Sequence, residues 1–108
     1  MPFADTWNAL QAHLTPCTTI PNWTASKGLL GDSFVVSAVG PNHIEVDAPN
    51  AQNRQKVPVA DFQTVYPMWN SYCLGQTARA AVRDATRFSK YVISVLHWLE
   101  QQIGGQLP

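Results

Sequence analysis

Apolar residues recur at helical spacing at the start of the chain. In "FADTWNALQAHL", Phe3, Trp7, Leu10 and Leu14 are separated by 4, 3 and 4 residues, which predicts one apolar stripe on a helix. Thr15 and Pro16 stop it. From Cys17 the pattern turns to β: "CTTIPNW" is rich in β-branched residues, and Pro21 predicts an edge strand because it has no N–H to give to a neighbour. "ASKGLLGD" reads as a loop. "SFVVSAV" and "HIEVDA" flank the turn residues Gly40, Pro41 and Asn42 and predict a hairpin. In its second strand Ile44, Val46 and Ala48 share one face while Glu45 and Asp47 share the other, the alternation of a half-buried antiparallel strand. A further turn, "PNAQNRQ", leads into "KVPV", where Pro58 again suits only an edge or a bulge.

The stretch "VPVADFQTVYP" resembles the end of SH3-like small barrels, and the resemblance extends over residues 17–66. It implies that the strand Val57 to Val59 closes into a 3₁₀ turn at Ala60, Asp61 and Phe62, followed by a last strand from Thr64 to Tyr66. It carries no catalytic residue across.

After Pro67, which suits a first helical turn, "MWNSYCL" places Trp69, Tyr72 and Cys73 on one side of a helix and ends at Gly75. From Gln76 to Ile103 there is neither Gly nor Pro, so one helix or two fit. The helix-start residues Thr86 and Ser89 and the capping residue Asp84 favour a break: a short helix over 77–84, a tight turn, and a long helix over 89–103 closed by Gly104 and Gly105. On the long helix Tyr91, Val92, Val95, Leu96, Trp98, Leu99 and Ile103 cover a wide apolar arc, and Lys90, Ser94, His97 and Gln101 line the opposite, wet face. Trp7, Trp69, Val92, Leu96 and Leu99 are expected in the core. The expected fold is α+β, one domain over 1–108: a helix in 1–15, a small antiparallel SH3-like sheet or barrel in 17–66, and two or three helices in 67–103.

Composition adds a surface argument. Apolar residues make up 45% of the 108 and charged ones only 13%, about half the usual charged share, so apolar area is left uncovered. A homodimer is the commonest way to hide it, with Trp23 and Trp98 as candidate exposed aromatic contacts. No apolar run approaches the roughly 18 to 20 residues that span a bilayer, and "MPFADTWNAL" does not read as a signal peptide, so a cytoplasmic location without a membrane partner is expected. Cys17 and Cys73 are then expected to be free, small, buried thiols, and the Asn22-Trp23-Thr24 sequon carries no meaning there. In overall style the chain is similar to small, stand-alone uncharacterised bacterial proteins, including those of mobile gene cassettes, which implies an accessory role.

Charge is balanced but unevenly placed. Seven basic and seven acidic residues cancel, yet Arg79, Arg83, Arg87 and Lys90 face only Asp84 within their segment, a local net of +3 that leaves −3 elsewhere. Guanidinium forks suit phosphate or carboxylate oxygens, so these four residues are the candidate anion-binding group, with nucleic acid or an acidic protein as partner. They also suit a merely solvated helix face. The three histidines, His13, His43 and His97, stand in no metal-ligand spacing, and no HExxH, CxxC, phosphate loop or GxSxG elbow is present, so no metal, cofactor or catalytic set is assigned. The preferred reading is a non-enzymatic binding module. The alternative is a small-ligand protein or enzyme with a pocket between sheet and helices, recruiting Cys73, His97 or the pair Glu45 and Asp47.

Overall fold

Helix α1 (Phe3–His13) forms where the apolar stripe predicts it, and buries Trp7 and Leu10, with Leu14 just beyond its end. Its polar groups grip a turn far away in sequence. The Trp7 indole N–H donates to the Pro41 carbonyl at 3.1 Å, and the Gln11 amide donates to the Gly40 carbonyl at 2.7 Å. Between helix and sheet, Cys17 adopts a left-handed backbone (φ 73°) and its N–H donates to the Val36 carbonyl at 2.7 Å, so the chain reverses sharply into the first strand. The computed structural model describes residues 3–49 and 54–107; residues 50–53 of the expected "PNAQNRQ" turn lie outside them.

Four antiparallel strands, β1 (Thr18–Thr24), β2 (Gly28–Val39), β3 (His43–Asp47) and β4 (Gln55–Pro58), pair in sequence order as an open meander. Pro21 and Pro58 both fall on its edge strands, as their missing N–H requires. Ile20, Phe34, Val36, Ile44, Val46 and Val57 form the buried face. Residues 28–32, expected as loop, instead begin β2, pairing Gly28 with Thr24 and Leu29 with Trp23. Leu29 to Asp32 are exposed, so the β1–β2 hairpin reaches beyond its cover, and without a buried face it shows no alternation. The β1–β2 register shifts between Pro21 and Trp23, where Asn22 stands against Leu30, Gly31 and Asp32 of β2; the Trp23 N–H donates to Ser94 Oγ at 3.1 Å.

Residues 59–66 depart from the SH3-like expectation. Helix α2 (Val59–Val65) and a 3₁₀ turn (Tyr66–Met68) replace the single 3₁₀ turn and the strand expected from Thr64 to Tyr66. Phe62 and Val65, three apart, both bury completely, which a helix allows and the alternation of a strand does not. Helix α3 (Trp69–Cys73) follows, then α4 (Arg79–Ala85) and α5 (Ser89–Ile103), with the break between them at Thr86 to Phe88. Gly104 closes α5 in the left-handed conformation (φ 72°), its N–H on the Glu100 carbonyl at 2.9 Å.

Helix α5 crosses the sheet beside β1 and sinks Val92, Ile93, Val95, Leu96 and Leu99 into one core shared by all layers. All five expected core residues are buried. The expected wet face is drier than its sequence implies: Ser94 is 1% exposed because its hydroxyl serves the displaced Trp23 N–H. Trp98 is half-buried against the core, and Ile103 is exposed. The cysteine expectation fails in one respect, since Cys17 and Cys73 are free but exposed. Four residues after Trp69, Cys73 shares its general face, but α3 is too short for its last residue to remain under the core.

Candidate functional site

The turn between α4 and α5 is built around Thr86. Buried and extended in backbone, Thr86 accepts the Phe88 N–H on its hydroxyl at 3.0 Å and donates to Asp61 Oδ1 of α2 at 2.8 Å. Asp61 is thereby committed to architecture. Phe88, 7% exposed, plugs the turn into the core, and the Arg87 guanidinium lies 4.6 Å from the centre of its ring, a cation–π contact that holds the charge at the surface.

The four candidate cations divide into two kinds. Arg83, Arg87 and Lys90 are exposed, around one helix–turn–helix corner. Arg79 is half-buried, and its Nη1 donates to Ser89 Oγ at 2.9 Å, tying the start of α4 to the start of α5. Among the described residues, no carboxylate lies within 4.0 Å of any of the four; the carboxylates paired there are Glu45, 3.3 Å from the His43 ring Nε2, and Asp47, 3.8 Å from Arg54. Helix α5 presents its positive dipole end to the same corner, with Phe88 offering no side-chain cap, whereas Arg83 offsets the carbonyl end of α4. The corner is cationic by its side chains, the two helix ends that meet there being of opposite sign.

The residues of the alternative reading do not assemble. Glu45 and Asp47 share a strand face but engage different partners, His43 and Arg54, instead of one another's lone pairs. His97 stacks flat on Trp23 with ring centres 4.1 Å apart and planes 6° from parallel, and its Nε2 lies 3.4 Å from the Gln101 amide. Desolvation in that stack lowers its pKa from the ordinary 6.5. Trp23, half-buried, also touches Trp69 and Tyr72, with centroid separations of 5.9 and 6.2 Å. The Cys73 thiol is raised to about 11 by desolvation first and by the Glu100 carboxylate second, which disfavours a thiolate nucleophile. No group of three or more His, Cys, Asp or Glu side chains capable of holding a metal occurs among the described residues, and no helix there is long and apolar enough to cross a membrane. His13, in the last turn of α1, is exposed.

A cleft does exist between sheet and helices, where the turn after β1 meets the α3–α4 connection. Its volume is about 200 Å³, and its walls include Ala25, Tyr72, Thr77, Ala78 and Arg79, but none of Cys73, His97, Glu45 or Asp47. Sequence reasoning missed Tyr72 as anything but core. Its ring is core, while its hydroxyl accepts the Ala25 N–H at 3.1 Å across the cleft wall. No protein-family description, curated protein or solved structure matches the chain.

Proposed function

We propose that this protein is a non-enzymatic binding module that takes the phosphate backbone of a nucleic acid at the α4–α5 corner. The observation that carries the reading is that Arg83, Arg87 and Lys90 stand exposed around one turn with no carboxylate partner among the described residues. Buried guanidinium groups tied to carboxylates would instead indicate architecture. The protein is neutral overall, so long-range steering is weak and the contact is local. Backbone contacts of this kind carry no base preference.

The test is a salt titration of binding to mixed-sequence duplex and single-stranded DNA and RNA. The double substitution Arg83→Gln and Arg87→Gln is expected to retain the fold, weaken binding equally across sequences, and flatten the salt dependence by roughly 0.9 per lost phosphate contact. Absence of binding to any nucleic acid, with an acidic protein bound instead, would replace the partner. Absence of both would reduce the corner to a solvated surface.

The same reading includes self-association in the cytoplasm. It is supported by the exposed leucines, Leu29 at 64%, Leu30 at 44% and Leu74 at 72%, on a chain with few charges to keep copies apart.

A further inference from the structure

We propose that the cleft between the β1–β2 turn and the α3–α4 connection binds a small monocarboxylate with a short apolar body. The proposal does not rest on the nucleic-acid reading, because Arg79 lines the cleft whereas Arg83, Arg87 and Lys90 do not.

The lining has unspent donors and no acid. Tyr72 is only 3% exposed, and its hydroxyl oxygen already accepts the Ala25 N–H at 3.1 Å, so its own proton points elsewhere; among the described residues no acceptor takes it. A buried O–H without an acceptor is costly, and an acceptor arriving in the cleft removes that cost. Arg79 supplies the charge. Its Nη1 is fixed on Ser89 Oγ at 2.9 Å, which orients the guanidinium plane and leaves its other N–H groups without a carboxylate partner among the described residues. Exposed Ser26 and half-buried Thr77 add hydroxyls.

Ligand class follows from charge, shape and size. One guanidinium balances one negative charge, and its planar fork matches a carboxylate's two oxygens; a phosphate dianion would leave a charge uncompensated. The Tyr72 ring, Ala25 and Ala78 give the remaining wall an apolar character suited to a hydrocarbon body. At about 200 Å³ the cleft is smaller than the roughly 300 to 1,000 Å³ typical of drug-sized ligands, so the body is short. Its lining holds hydroxyls but no histidine, cysteine or carboxylate beside them to activate one, which favours a binding role.

The experiment is an amide-resolved NMR titration of the full chain with propionate and with benzoate, against propionamide and inorganic phosphate. Saturable shifts confined to Ala25, Thr77, Ala78 and their neighbours are expected with the carboxylates and not with the neutral amide. Arg79→Gln should weaken carboxylate binding by roughly tenfold or more, the worth of a hydrogen bond to a charged group, and Tyr72→Phe should weaken it less while leaving the ring in place. Arg83→Gln should leave it unchanged, which separates this cleft from the α4–α5 corner. If Arg79→Gln fails to fold because the Ser89 tie is lost, Tyr72→Phe decides. Equal binding of propionamide, tighter binding of phosphate, no saturable shift with either carboxylate, or full affinity in the Tyr72→Phe variant would each overturn the proposal.

Discussion

Cys73 and His97 show how a side chain's surroundings, more than its type, set its chemistry. At pH 8 a thiol with a pKa of about 11 holds about a hundredfold less thiolate than it would at its ordinary 9.0, so Cys73 is expected to alkylate far more slowly in the folded protein than in the denatured chain. Iodoacetamide labelling resolved by peptide mass measures the ratio; equal rates would show that Glu100 and desolvation exert no hold. Replacing Glu100 by Gln should speed Cys73 partly, desolvation being the larger cause. For His97 the folded pKa lies below the unfolded value of 6.5, so the unfolded chain takes up its proton first as pH falls. Stability from the neutral stack is complete above about 6.5 and declines as pH drops through the folded pKa. An NMR titration of the His97 ring should give a midpoint under 6.5, and Trp23→Ala, which opens the ring to water, should raise it.

At the scale of elements, the junction of α2, α4 and α5 hangs on one hydroxyl. Thr86→Val keeps the shape but strands the buried Phe88 N–H and releases Asp61, so a loss of about 1 to 3 kcal/mol is expected from chemical denaturation. Leu96→Ala, at a fully buried position of α5, should cost about 2 to 5 kcal/mol by the same measurement. Elements with one buried and one wet face were legible in advance: α1, the β3 strand and the split of α4 from α5 all announce themselves through spacing or start residues. Three segments were not. Residues 28–32 begin β2 with none of them buried, only Gly28 and Leu29 pairing and Leu30 to Asp32 lying in a register shift, so no alternation betrays them. The 3.6-residue period of α2 is hidden by its brevity, only two residues of it being buried. Ser94 reads as wet because nothing local reveals that the shift in register between β1 and β2 leaves the Trp23 N–H to it. The arginine corner was legible as charge; the cleft beside Arg79 was not, because its polar feature is the free proton of a tyrosine that helical spacing assigns to the core.

For the whole molecule the balance of surface and charge governs what copies do to one another. With 13% charged residues and no net charge, little repulsion opposes contact between exposed leucines of the β1–β2 hairpin. Sedimentation at micromolar concentration is expected to give the dimer mass, and Leu29→Lys with Leu30→Lys to return the monomer; a parent sedimenting as monomer would count against self-association. The edges of the open sheet bear on what form such contact takes. Pro21 and Pro58 stand on the two strands that have a free side, and each removes an amide that an incoming strand would need. A meander of this kind would otherwise template end-to-end fibril growth in a crowded cell, and with both borders interrupted the chain can afford its apolar surface without becoming a filament.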